Sequence, residues 1–378
     1  MSDDHFDGLV IGAGHNGLIT AAYLAKAGLR VAVVEGRPAV GGGFSTEEVT
    51  APGFQHNLHA IHTKLHESPV DRDLELGRYG VSYVFPNPKM GFVRQDDWFV
   101  YYQGRERNVA SIARVSTRDS ATYEKVSAVW QRWYRDFILP YLYAPPVPQE
   151  EWEADVATQP GGTDFLTIVR DLSPVEYARD LFESEFCRMS VVRAVTSAEY
   201  NPEARGIPPL VFEHIVNWFA GTTALVRGGS RRAAEGIAQI VVEHGGEIVL
   251  GDAVEHIEVR GGAARGVVLA SGRELEAARF VASSINPVHT FVLLMDESAL
   301  PAGLADKAAS YKFKETGLFR VHLALRERPH FTMSGRAPEL DDAWKLAPSA
   351  SSPWTTFLPW GGRLPAVRSP SCSAWTVG

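Results

Sequence analysis

Only two cysteines, Cys187 and Cys372, occur in 378 residues, and no Cys-x-x-Cys pair exists. Dithiol exchange needs neighbouring thiols, so disulfide reductase chemistry is excluded. Positive charge is also scarce: the formal net charge of −8 leaves no basic face for a nucleic-acid backbone. No run approaches the ~18 consecutive apolar residues that mark a membrane span. The opening Met-Ser-Asp-Asp-His-Phe is acidic and passes directly into an apolar strand, which leaves no room for a signal peptide and makes a cytoplasmic protein the expectation. Metal ligands are sparse too. His56, His59, His62 and His66 form one cluster, but without cysteines or carboxylates at ligand spacing it reads as scattered surface or core histidines. What remains is 45% hydrophobic and 22% charged, an ordinary globular composition, in a chain long enough for two intertwined domains.

The informative stretch is the first 46 residues. Asp7-Gly-Leu-Val-Ile-Gly12-Ala13-Gly14-His15-Asn16-Gly17 reads as a buried strand running into a glycine turn. Gly12 permits the tight turn, Gly14 lets backbone approach a diphosphate, and Gly17 lets the following helix pack close to the sheet. Leu18–Ala27 is rich in alanine and leucine, hence helical, and Gly28 ends it. Val31–Val34 is the second strand. Glu35 follows Gly14 by about the ~20 residues expected of a carboxylate that accepts adenosine ribose hydroxyls. Strand, turn, helix, strand and acid together predict a socket for the ADP half of a dinucleotide. An acid at 35 disfavours a 2′-phosphate there, and so disfavours NADP.

A second glycine turn follows at Gly41, Gly42 and Gly43. The run Glu35-Gly36-Arg37-x-x-Val40-Gly41-Gly42 resembles the second flavin motif of amine oxidases and carotenoid desaturases. With Gly-Ala-Gly-His-Asn-Gly-Leu before it, and Thr46-Glu-Glu and Pro52-Gly-Phe54 after it, the chain resembles the phytoene dehydrogenase-like NAD(P)/FAD-dependent oxidoreductases, the group that includes pyridine nucleotide-disulfide oxidoreductase domain-containing proteins. The resemblance implies FAD as cofactor. It implies an α/β fold: a Rossmann-like FAD/NAD(P)-binding domain of the two-dinucleotide-binding-domain flavoprotein type, with an inserted α+β substrate cap. Gly43 departs from the amine oxidase pattern, which places arginine there.

A similar texture returns at Arg227-Gly-Gly-Ser230, followed by an amphipathic helix over Arg231–His244. Glu247–Leu250, Ala253–Val259, Gly266–Ala270 and Ala278–Ser283 read as strands, and Asn286-Pro287 ends the last. By pattern alone Val254 suits a strand core as well as a ligand contact; the resemblance assigns its backbone to the adenine. Ser283 and Ser284 fall where the chain returns to the nucleotide.

The implied organisation is residues 1–83 and 226–290 for the FAD-binding domain and 84–225 and 291–347 for the substrate domain. In the latter, Trp130, Trp133, Tyr134, Phe137 and Ile138 fall three and four apart on one helical face, before Pro140, Pro145, Pro146 and Pro148 break the helix. That face reads first as an ordinary packed core; the resemblance implies a cap for an apolar, lipid-like substrate. Peripheral membrane contact has no further support.

Leu318–Leu325 reads as a strand and Pro338–Leu346 as a helix start. From Pro348 the texture turns to serine, proline and tryptophan without period. Two readings stand for 348–378: a disordered tail or a shifted reading frame. One GC-rich coding of Pro348–Trp360, read from the third base of Pro348, yields Ile-Gly-Leu-Glu-Ser-Val-Asp-Asp-Phe-Leu-Ala-Leu, an amphipathic helix. The resemblance implies a third, glycine-rich cofactor segment at the end, which is not found after Ala347.

The expected function is hydride transfer from an apolar substrate to FAD. No catalytic residue is identified, and flavin chemistry often needs only placement of the C–H bond. The acceptor stays open among oxygen, a quinone and NAD(P). Amine oxidation, and a catalytically impaired truncated nucleotide-binding chain, are the alternatives.

Overall fold

The computed structural model describes residues 4–94, 97–197, 200–219, 221–312, 320–327, 339–340 and 346–348. Contacts divide the chain into two units. One runs to Val84 and resumes over Ala224–Glu315; the other comprises Phe85–Thr223 and the described residues beyond Glu315. The first unit passes the 290/291 boundary because the helix Leu304–Ala309 packs on the turn His289–Leu293.

The first unit is built on β1 (His5–Ile11), α1 (His15–Lys26), β2 (Val31–Glu35), α2 (Arg231–Glu243), β3 (Glu247–Leu250), β4 (Val254–Arg260), β5 (Ala263–Leu269) and β6 (Glu274–Ser283). These strands form one sheet in the order β4-β5-β6-β1-β2-β3. The run β6-β1-β2-β3 is parallel, and β5 and β4 extend it antiparallel. Both faces of the central strands are buried. Val10, Val31 and Val33 pack beneath Leu18, Ala21 and Ala25 of α1 and Ile237 and Ile240 of α2. Leu9, Ile11, Ala32 and Val34 pack with Ile257, Val267 and Leu275. That is why β1 and β2 read as continuous apolar runs rather than alternating ones. Alanines at 21, 22 and 25 favour helix and leave room for α1 to lie close to the sheet. Gly28, at φ +86°, then turns the chain towards β2.

The second unit holds a hairpin, Met90–Arg94 with Asp97–Tyr101, and Leu346–Pro348 pairs parallel to its first strand. The rest is helical. Its core centres on Trp130, Phe165, Phe212 and Tyr123, and the Trp130 indole donates to the Tyr177 hydroxyl at 2.6 Å. Buried Asp119 accepts the backbone N–H groups of Glu183 (2.8 Å) and Ser184 (2.9 Å), capping the helix Glu185–Thr196.

Three sequence expectations need correction. The helix through Trp130 is α-helical only to Trp133 and continues as a π-turn over Tyr134–Ile138. Pro140 lacks an N–H and its ring would strike the Asp136 carbonyl, so the wider turn relieves the clash. Trp130, Trp133, Phe137 and Ile138 are nonetheless buried, as a packed face requires. Residues 320–325 of the expected strand Leu318–Leu325 belong to no sheet, and Val321, Leu323 and Leu325 are exposed: alternation alone makes no strand without a ladder partner. Leu346, expected to be helical, begins a strand, while Glu339 and Leu340 are helical. Residues 349–378 of the anomalous tail lie outside the described residues. No helix among the described residues is long and apolar enough to cross a membrane.

Candidate functional site

The carboxyl ends of β1 and β2 converge on the first glycine turn. Gly12 has φ +96°, and a Cβ there would meet the Ser284 Oγ at 2.7 Å. A Cβ on Gly17 would lie 2.1 Å from the Gly12 carbonyl oxygen, so glycine is obligatory where α1 leaves the turn. Gly14 differs. Its φ of −69° suits any residue, and a Cβ would meet only the Gly42 Cα, at 3.9 Å. No protein contact demands glycine at 14, and the space before it is left for a ligand's approach. The first-turn amides of α1, from His15 through Gly17, have no intrahelical acceptors and carry the positive end of the helix dipole. This cradle fits an anionic diphosphate.

Glu35, at the end of β2, is tied into the same mouth. Its Oε2 accepts the Ala13 N–H at 2.9 Å and its Oε1 the Arg37 N–H at 3.0 Å. Each oxygen retains a lone pair for a sugar hydroxyl. Gly36 packs tightly on Ala253: a Cβ would lie 3.0 Å from the Ala253 Cβ. The Gly251 N–H donates to the Arg37 carbonyl at 3.0 Å, which fastens the approach to β4 beside Glu35. Val254, half-buried at the head of β4 opposite Leu269, therefore stands near that mouth. Arg37 does not face the cradle as an unpaired cation; its guanidinium pairs with Glu47 at 2.5 Å. Asn16 is exposed in the first turn of α1.

The second glycine turn closes on the first. Gly41 (φ +133°) donates its N–H to the Ala13 carbonyl at 2.9 Å. A Cβ on Gly42 (φ +55°) would lie 2.8 Å from the Gly14 Cα. Gly43 has ordinary backbone and room for a side chain, so its glycine is not demanded by packing. His15 stacks on Phe44 with ring centroids 4.7 Å apart and an interplanar angle of 17°. Burial, then the neighbouring His59, push its imidazole below its ordinary pKa.

Ser283, at the end of β6 opposite Ile11, shares a 2.7 Å hydrogen bond with the Thr290 hydroxyl and so serves the turn beyond β6. Ser284 is the residue at the glycine turn: its single hydroxyl proton is shared between the carbonyls of Ile11 (2.9 Å) and Gly12 (3.1 Å).

Sequence reasoning missed a polar knot behind the second turn. The Asn57 Oδ1 accepts the Thr46 hydroxyl (2.7 Å) and the Ser230 N–H (2.9 Å), and the Arg231 N–H donates to the Thr46 Oγ1 at 3.1 Å. Gly229, at φ +99°, could carry no side chain, since a Cβ would lie 2.5 Å from Thr46. The only signal was the Gly-Gly-Ser before α2. The histidines of 56–66 serve separate tasks: the His56 Nε2 meets the Thr50 hydroxyl at 2.7 Å, and His66 lies against Tyr83 and Glu67. Among the described residues no group of three or more His, Cys, Asp or Glu could hold a metal ion.

The parallel sheet, glycine turn and carboxylate define a Rossmann-type dinucleotide-binding protein, and residues 10–72 match the family described as "NAD(P)-binding Rossmann-like domain". Beyond that match, the chain is similar along most of its length to several oxidoreductases. It is 29% identical over 367 residues to one polypeptide of the limonene dehydrogenase of Castellaniella defragrans, covering 92% of this chain and 64% of that protein. It is 27% identical to pyridine nucleotide-disulfide oxidoreductase domain-containing protein 2 of Rattus norvegicus (88% and 62% covered). It is 26% identical to the neurosporene-forming phytoene desaturase of Cereibacter sphaeroides (76% and 54%). The chain thus spans less than two thirds of the length of each. Among solved structures, an oxidoreductase from Methanosarcina mazei shares the fold at a TM-score of 0.52, with 19% identity, 80% of this chain and 65% of that one covered.

Proposed function

We propose that this chain is an FAD-dependent oxidoreductase that takes hydride from an apolar, lipid-like substrate. The observation that carries this reading is the meeting of the two glycine turns, Gly41–Gly42 against Gly14, beside the Glu35 carboxylate. In this reading Glu35 orients the adenosine ribose and the α1 amides hold the diphosphate. The Gly41–Gly42 backbone, lacking side chains, lets the remainder of a long dinucleotide pass. Bound FAD would supply the hydride acceptor; the chain's contribution is binding and placement.

Two observations support an apolar substrate. Limonene dehydrogenase and phytoene desaturase are named for hydrocarbons. The second unit also contains a cavity of about 620 Å³, of the size of small-molecule sites. Phe137, Leu142, Trp152 and Leu210 line it, and so does the Glu153–Arg170 ion pair. Polar groups in its wall are already engaged: the Trp152 indole donates to the Phe137 carbonyl at 3.0 Å and the Tyr200 hydroxyl to the Gly206 carbonyl at 2.9 Å. A ligand there gains by burying apolar surface rather than by exchanging hydrogen bonds.

A thermal-shift series with FAD, FMN, NAD and NADP, joined to a visible spectrum of the purified protein, tests the cofactor. FAD alone should stabilise, with flavin absorption that bleaches on reduction. Preferential stabilisation by NADP would overturn the assignment. Anaerobic bleaching by hydrocarbons but not by primary amines is the expected substrate outcome, and the reverse would favour amine oxidation.

A further inference from the structure

Among the described residues at this mouth, His15 holds a buried ring nitrogen that makes no hydrogen bond. Its Nδ1 is sealed from solvent without a partner, and no described residue makes a hydrogen bond to the ring. The ring is nevertheless held firmly: Phe44 stacks on one face, and the Nδ1–Cε1 edge lies against Gly43, whose Cβ, if present, would sit 3.6 Å from Cε1 and 3.8 Å from Nδ1. Stacking accounts for an aromatic residue at this position but not for one with two nitrogens. A phenylalanine would stack equally well without burying a polar atom.

We propose that His15 is a ligand-contacting residue whose Nε2–H donates a hydrogen bond to a diphosphate oxygen of the bound dinucleotide. The inference rests on the FAD reading above. Its chemistry follows from the sealed nitrogen. A proton on Nδ1 would bury an N–H with no acceptor, so the ring carries its single proton on Nε2. A second proton is disfavoured by burial, by His59 and by the position of His15 as the first residue of α1, at the positive end of its dipole. The result is a neutral donor with its plane fixed by Phe44, on the same turn whose amides face the diphosphate. A neutral donor costs less to desolvate in the free protein than a cation would. Its bond strengthens when the acceptor is an anionic phosphate.

Calorimetric titration of the full chain with FAD, using His15→Phe and His15→Gln, tests this. Phe keeps the stack and removes the donor; the Gln amide places an N–H close to the Nε2 position. The Phe variant should bind FAD about tenfold more weakly, as for loss of one hydrogen bond to a charged group. It should keep the melting temperature of the ligand-free wild type, and Gln should recover most of the affinity. In the wild type, the ¹⁵N resonance of the His15 Nε2 should shift on addition of FAD while Nδ1 moves little. Equal affinity of the Phe variant, or an unmoved Nε2 resonance, would overturn the assignment. Should the Phe variant fail to fold, the wild-type resonance decides alone. A wild type that binds no FAD refutes the function proposed above, whereas one that binds FAD with an indifferent His15 refutes only this contact.

Discussion

The Glu35 carboxylate accepts the Ala13 backbone N–H at 2.9 Å, joining the end of the second strand to the glycine turn after the first. One side chain thereby shapes the turn and presents its remaining lone pairs to the mouth. Replacement by Ala removes this bond, the 3.0 Å bond from the Arg37 N–H, and the sugar's acceptor together. Glu35→Ala should weaken FAD binding at least tenfold, since hydrogen bonds to charged groups contribute about 1.5–3 kcal/mol each. Glu35→Lys should abolish binding. Isothermal titration checks both, and unchanged affinity in either would remove the ribose assignment.

Gly17 and Gly43 provide a contrast within one site. A Cβ at 17 meets the Gly12 oxygen at 2.1 Å, whereas at 43 it meets only His15, at ordinary contact distance. Gly17→Ala should destabilise the ligand-free protein by about 1–3 kcal/mol through overpacking. Gly43→Ala should be nearly neutral. Denaturant unfolding of the two variants side by side distinguishes them; equal losses would contradict the packing described.

Ser284→Ala should cost about 1 kcal/mol, because its single hydroxyl proton is shared between the Ile11 and Gly12 carbonyls. Because those carbonyls belong to the glycine turn, FAD affinity should fall with stability. Ser283→Ala, which loses only the bond with Thr290, should leave affinity unchanged. Titrating both variants checks the assignment of the turn to residue 284 rather than 283.

Asp119 caps a helix from another element, and its removal takes the acceptor from the Glu183 and Ser184 N–H groups. Asp119→Ala should therefore destabilise the second unit by about 1.5–3 kcal/mol, as for loss of hydrogen bonding to a charged group, with water replacing part of it at the freed N–H groups. Hydrogen exchange should accelerate first at residues 183–188. Exchange that accelerates uniformly instead would mean that the cap is not locally decisive.

The Cys187 thiol is buried, and burial, with Asp119 nearby, pushes its pKa well above the ordinary range. The thiolate is the reactive form, so alkylation at pH 8 should spare this residue in the folded protein and modify it after denaturation. Peptide mapping after iodoacetamide treatment reads the outcome at position 187 directly.

Much of the first unit was legible because its signals are local. Leu9–Ile11 and Val31–Val34 are apolar runs short enough to be buried strands, Gly28 marks the end of α1, and Glu35 stands at a spacing set by one strand–helix–strand unit. The end of β6 was legible for the same reason. The knot of Thr46, Asn57 and Ser230 was not, because each is an unremarkable polar residue until folding buries it beside partners over 170 residues away. The role of Ser284 was blurred with that of Ser283, since which of two adjacent side chains faces the turn depends on strand register. In the second unit, the face from Trp130 to Ile138 was visible as a period, but its change to a π-turn depended on the reach of Pro140. Over 320–325 the alternation was real and the partner strand was not.

In the sheet, β1 lies between β2 and β6, with Ile11 opposite both Val34 and Ser283. During synthesis its inner edge gains one neighbour almost at once, while the other edge waits for some 270 further residues. At ~5–20 residues per second that interval is on the order of tens of seconds. Throughout it, a Leu-Val-Ile segment offers an open row of amides and carbonyls to any passing strand. Cells making this protein quickly, or without holdase chaperones, should accumulate it as inclusion bodies whose seeds are the first eleven residues.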